Sequence, residues 1–275
     1  MSGAIRKRGL AALAAATVVA LAGCGAAGER VEDGGSTGGE DAVLSVAATT
    51  NFIADTVRAV GGDRVAVTGL MGPGVDPHLY KASAGDVATL RDADAVFYGG
   101  LFLEGKMAEV LDELSEQVPT VAVSEAIPEE ELLDPPAGAA PEEEHDPHVW
   151  FDPSLWAHSV EAIRDQLSEL DPEGAAEYER NADALLAEMD DLQRAGEERL
   201  GAIPERQRVL ITSHDAFEYF GRAFGLDVHA IQGLSTADEA TTADIDRIAD
   251  LVAERDVPAV FVESSVPRQT IEAVV

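Results

Sequence analysis

Two α/β lobes, each a parallel sheet covered by helices, with one long helix joining them and a crevice between them, are predicted for this chain from three observations. Short apolar runs alternate with helical patterns in one series over the first half of the chain and again after residue 209. Such alternation marks parallel strands, because each parallel pair needs a crossover connection. Between the two series lies a helical stretch of about 28 residues, which at 1.5 Å per residue spans roughly 40 Å.

Residues 1–23 combine Arg6, Lys7 and Arg8 with an apolar, alanine-rich run from Leu10 to Leu21. A basic cluster ahead of a short apolar stretch is the pattern of an export signal, and the stretch is too short to span a bilayer. It ends in Leu21-Ala22-Gly23-Cys24, where small residues precede the only cysteine of the chain. This resembles the lipobox of bacterial lipoproteins, which implies cleavage before Cys24 and lipidation of Cys24 as the new N-terminus. Residues 24–40, rich in Gly, Glu and Ser, have almost nothing to bury and read as a flexible tether.

The first lobe is assigned to residues 41–170. Residues 42–47, 64–70, 95–98 and 120–123 are apolar runs of strand length, and 52–60, 84–91 and 103–114 have helical spacing. Residues 135–146 contain Pro135-Pro136, Pro141 and four acidic side chains without periodicity, the composition of an exposed loop. The connecting helix, 171–202, is predicted to open at Asp171-Pro172, an N-cap residue followed by proline at the first helical position. Tyr178, Ala182, Leu185, Met189 and Leu192 recur at spacings of four and three and give it one apolar face, while Gly196 lies inside it. The second lobe, 203–275, reads as strand 209–212, helix 216–224, strand 228–231, helix 243–254 and strand 259–262.

With 19 Lys and Arg against 52 Asp and Glu the formal net charge is −33, and loss of residues 1–23 would make it more negative. Nucleic acid is excluded as a partner by that balance. Diffuse acidity serves solubility and is screened by salt, so it does not define a site.

Six histidines are few enough to be weighed singly. Two stand in a repeated tripeptide: Asp76-Pro77-His78 follows the turn Gly72-Pro73-Gly74, and Asp146-Pro147-His148 leads into Val149-Trp150-Phe151-Asp152-Pro153. Proline fixes its own φ and biases the preceding aspartate toward extended geometry, so each histidine is presented from a stiffened backbone. The aspartate also offers a carboxylate that can orient a ring, a contact the sequence alone does not show. A third, in Ile211-Thr212-Ser213-His214-Asp215, sits where a buried strand gives way to a helix, and ligands of open α/β sheets bind beyond the carboxyl ends of the strands. His78, His148 and His214 are therefore predicted to converge between the lobes as metal ligands. Imidazole suits zinc, copper, nickel and iron, and with carboxylate also manganese. His145, His158 and His229 lack such settings.

Gly74-Val75-Asp76-Pro77-His78-Leu79-Tyr80, the segment from Asp146 to Pro153, Thr212-Ser213-His214-Asp215-Ala216-Phe217 and Phe261-Val262-Glu263-Ser264-Ser265 together resemble the zinc/manganese-binding lipoproteins of ABC transporters, the TroA/ZnuA type. The resemblance runs from about residue 41 to the end. It implies two α/β lobes joined by a rigid helix, and a zinc or manganese ion held between them by His78, His148 and His214, with iron less favoured. It also implies a non-enzymatic, monomeric carrier, lipid-anchored outside the bacterial cell membrane, that delivers the ion to an ABC permease. The family usually continues through a further strand and helix whose aspartate completes the metal shell, whereas this chain ends at Ala273-Val274-Val275 within a helical pattern, so it reads as truncated at the C-terminus. Water or Glu263 then takes the fourth position, and Glu263 is equally readable as a buried structural carboxylate. Two other readings compete. An exported zinc hydrolase would use three histidines and an open water position, but no His-Glu-x-x-His helix is present. A metal-binding adhesin without a transport role would leave metal uptake unchanged when the gene is deleted.

Overall fold

The computed structural model describes residues 42–136, 139–237, 240–255, 257 and 259–264. Residues 1–40 with Cys24, and the chain end, lie outside them. Four strands, β1 (Leu44–Ala48), β2 (Val65–Gly69), β3 (Ala95–Tyr98) and β4 (Thr120–Ala122), form one sheet in the order β2-β1-β3-β4. Every pair is parallel, from Leu44 opposite Val65 to Tyr98 opposite Ala122. The crossovers are helical, through α1 (Asn51–Gly61), α2 (Ala84–Arg91) and α3 (Ala108–Ser115).

Side chains alternate across the sheet, and each face has its own core. Val46, Ala48, Val67 and Phe97 point to the side packed by α1, α4 (Pro153–Leu170) and α5 (Ala175–Gly201). Ala47 and Val96 point the other way, onto Leu90 of α2 and Leu111 and Leu114 of α3. Burial on both faces explains why these strands are uninterrupted apolar runs in the sequence. A second, two-stranded parallel sheet pairs β5 (Val209–Thr212) with β6 (Asp227–Ala230), flanked by α6 (Glu218–Phe224) and α7 (Thr242–Arg255). The molecule is thus α/β with two parallel sheets, as the sequence predicts. Among the described residues no helix is long and apolar enough to cross a membrane.

Three local expectations change. The Asp-Pro helix start lies at Asp152-Pro153, where the Asp152 carboxylate accepts from Ser154 N at 3.0 Å and opens α4. Asp171 instead ends α4, with its carboxylate taken by Arg64 Nε and Tyr178 Oη, each at 2.7 Å, and α5 begins after a turn at Ala175. The helix expected over 103–114 is delayed to Ala108, because Glu104 turns inward to accept from Thr49 Oγ1 at 2.6 Å and Gly99 N at 2.8 Å. Leu101 and Phe102 take positive φ values of 51° and 64° in the same bend. Residues 259–262 are not in a strand: Phe261 N donates to Ile211 O at 2.8 Å, but Phe261 and Val262 are 54% and 44% exposed. A short apolar run shows strand propensity without showing whether a ladder is completed.

Candidate metal centre

His78 lies in the irregular segment between β2 and α2, and His148 precedes a short 3₁₀ turn, Val149–Phe151, that leads into α4. His214 lies two residues beyond the end of β5. These segments meet at one point. Nε2 of His78 and of His148 are 3.1 Å apart, Nε2 of His148 and of His214 3.3 Å, and one ligand atom from each of the three falls within 4.8 Å of the others. All three are buried, at 7%, 1% and 6% exposure. Nitrogens bound tetrahedrally at about 2.0–2.1 Å lie roughly 3.3–3.4 Å from one another, so the spacing suits a small cation.

Each ring or its backbone is fixed by a carboxylate. Asp146 Oδ1 accepts from His148 N at 2.9 Å and lies 2.7 Å from its Nδ1. Glu263 does the corresponding work on His214, with Oε1 accepting from the backbone N at 3.0 Å and Oε2 2.6 Å from Nδ1. A carboxylate beside Nδ1 favours the tautomer that carries its proton there, which leaves the Nε2 lone pair of that ring free to bind. Asp76 serves only the backbone of His78, Oδ1 accepting from its N at 3.0 Å, and its Oδ2 accepts from Thr236 Oγ1 at 2.6 Å.

A cavity of about 140 Å³ opens on the cluster, walled by Phe52, Trp150, Phe151 and Ala216 with Thr236 and Glu263. Phe52 stacks on Trp150 at 4.3 Å between centroids, and Trp150 meets the His148 ring edge-on at 5.3 Å. This apolar lining explains the electrostatics. Burial first, and then repulsion from the neighbouring imidazoles, lowers His78 to about 3 and holds His148 well below its usual value. Burial pushes Asp146 up to about 7 against the hydrogen bond from His148 N. Burial thus favours the uncharged His78 and His148 rings near neutrality, and neutral imidazoles are what a metal requires.

Of the residues singled out from the sequence, the structure brings His78, His148 and His214 together and sets Glu263 behind His214, with both oxygens on that residue. Cys24 lies outside the described residues. His145, His158 and His229 stand apart from the cluster, His229 with Nε2 3.2 Å from Asp227. Tyr219 was not foreseen. Fully buried on α6, it donates to Asp146 O and accepts from Leu133 N, both at 2.9 Å, and so fixes the segment that carries His148. Its signal in the sequence is an aromatic with a polar handle in an apolar helix stripe.

Fold and site define a class: α/β proteins with two parallel sheets and a buried cluster of three imidazoles whose nitrogens could hold a cation. The family model of the zinc-uptake complex component A, periplasmic, matches residues 46–275, and the chain belongs to this family. It is 44% identical over 269 residues to the manganese-binding lipoprotein MntA of Bacillus subtilis (strain 168), covering 98% of this chain and 84% of that one. Identity to the zinc-binding protein TroA of Treponema pallidum (strain Nichols) is also 44%, over 228 residues, or 83% of this chain and 72% of that one. The solved structure of the periplasmic zinc-binding protein TroA from Treponema pallidum superposes with a TM-score of 0.80 over 84% of this chain and 82% of that one, at 44% identity.

Proposed function

We propose that His78, His148 and His214 together hold one divalent transition-metal ion, zinc or manganese, as cargo, and that the chain is the metal-binding component of an ABC importer. In this reading it is exported, anchored through lipidated Cys24 on the outer side of the cell membrane, acts as a monomer, and passes the ion to the membrane permease. The observation that carries the reading is the convergence of three buried Nε2 atoms spaced 3.1 and 3.3 Å apart on elements distant in sequence. Imidazole supplies the donors, and the Asp146 and Glu263 carboxylates behind two of the rings offset the charge of the cation. The named relatives, one manganese-binding and one zinc-binding, support the class of cargo and leave both ions as candidates.

Calorimetric titration of metal-free protein with zinc and with manganese tests this. One ion per chain is expected. His78→Ala, His148→Ala and His214→Ala should each weaken binding by more than the roughly 10–100-fold that loss of an outer-shell partner costs. Unchanged affinity in all three variants would refute the assignment.

A further inference from the structure

The three imidazoles are not held alike. His148 and His214 belong to segments clamped together: Tyr219 of α6 bonds to Asp146 O and Leu133 N, Phe151 stacks on Phe217 at 4.3 Å, and Arg222 Nη1 donates to Glu131 O at 2.7 Å. His78 is carried instead on an irregular stretch between β2 and α2, and its neighbours Val75 and Leu79 are 42% and 47% exposed. Two residues before it, Asp76 uses one carboxylate oxygen on the His78 backbone and the other on the hydroxyl of Thr236, which lies beyond β6 in the second lobe. A hydroxyl donating to a carboxylate at 2.6 Å is a short, charge-assisted bond. It joins positions 160 residues apart, beside the nitrogen cluster.

We propose that Thr236 is a positioning residue for metal retention. By holding Asp76 it keeps His78 against the His148–His214 pair, and the Thr236–Asp76 bond opens before His78 swings away and the ion leaves. Thr236 itself ligates nothing. Its loss leaves the donor set and the Asp76 contact to His78 N in place, so the effect falls on the rate of release more than on stoichiometry. The inference rests on the metal reading of the three histidines.

Zinc release from the full chain into an excess of chelator, followed by stopped flow for wild type, Thr236→Val, Thr236→Ala and Thr236→Ser, tests it. Valine and alanine, which lack the hydroxyl, should release zinc about tenfold faster while still binding one ion per chain. Serine should restore the wild-type rate, and the metal-free melting temperature of the valine and alanine variants should fall by no more than the roughly 2–6 °C that one lost hydrogen bond explains, which separates positioning from general destabilisation. Two side chains of different size guard against a folding defect particular to one. Wild-type rates in valine and alanine, or serine as fast as valine, overturn the proposal. If wild type binds one ion through the three histidines and these rates do not move, this inference alone fails; if wild type binds neither zinc nor manganese, the metal reading fails and this one with it.

Discussion

Asp146 governs the cluster through one oxygen, which serves both the backbone N and the Nδ1 of His148. Replacing it by asparagine keeps an acceptor for the backbone but removes the charge that holds the proton at Nδ1 and makes Nε2 a better donor. Outer-shell changes of this kind cost about 10–100-fold in metal affinity. Asp146→Asn is therefore expected to weaken zinc binding within that range in a chelator competition, whereas wild-type affinity would show that the ring is oriented by packing alone. The histidines were legible in the sequence because each stands in a local signal, a repeated Asp-Pro-His or a strand end. The partners Tyr219 and Thr236 were not, because each acts across the fold on a residue 73 or 160 positions away. Glu263 was noticed as a possible ligand, but that its two oxygens go to the backbone N and the Nδ1 of His214 is a property of three dimensions.

At the scale of elements, the strands of the first sheet and helix α2 were legible to within a residue or two, since their apolar runs are buried on both faces and Ser83 with Asp86 forms a capping box. The start of α5 was not. Asp171 looks like a cap but is drawn into a cluster with Arg64 and Tyr178. Burial pushes its carboxyl upward, yet the hydrogen bonds from Tyr178 and Arg64 outweigh burial and hold it below the ordinary value. Gly174 stands directly over this cluster, where an added Cβ would press on Asp171 Oδ2, on Arg64 Nε at 2.5 Å and on the Tyr178 ring at 2.8 Å. Gly174 is the N-cap residue of α5, where alanine is the poorer choice, and overpacking here should cost about 1–3 kcal/mol. Gly174→Ala should then lower the melting temperature by about 2–4 °C per kcal/mol, as read by circular dichroism. An unchanged or raised melting point would mean that the cluster yields without cost. Gly196, which reads as a weak point in the helix, is likewise a contact position, since its Cβ would collide with Phe224 of α6.

Over the whole molecule, parallel topology gathers the ends of separate chain segments at one place, and this is how histidines 70 and 66 residues apart in sequence come to share a pocket. Burial then sets the acid behaviour of that pocket. In the unfolded chain imidazole takes up a proton below about pH 6.5, but folded His78 does so only near 3, with His148 also well below its usual value. Between those limits the unfolded state binds more protons, so these two groups make the metal-free protein less stable as pH falls from about 6.5 toward 3. Asp146 and Glu218, each raised to about 7, and Asp215, raised to about 6, act with the opposite sign. Their contribution is fully present below the unfolded carboxylate value of about 4 and is lost as pH rises through 6 to 7. The two sets oppose one another between about pH 4 and 6, and melting temperature should change little there. Metal capture reads the chemistry more directly. A cation arriving at Nε2 meets His78 and His148 already neutral, and its charge favours the ionised form of Asp146 behind the His148 ring. Asp146, protonated below about 7, gives up that proton when the metal binds, and on its account zinc affinity is expected to fall by about one decade per pH unit between pH 6 and 5, measured by competition titration. A fall approaching three decades per unit, the behaviour of three ordinary imidazoles, would show that the pocket is open to water when empty and that burial does not set its proton affinity.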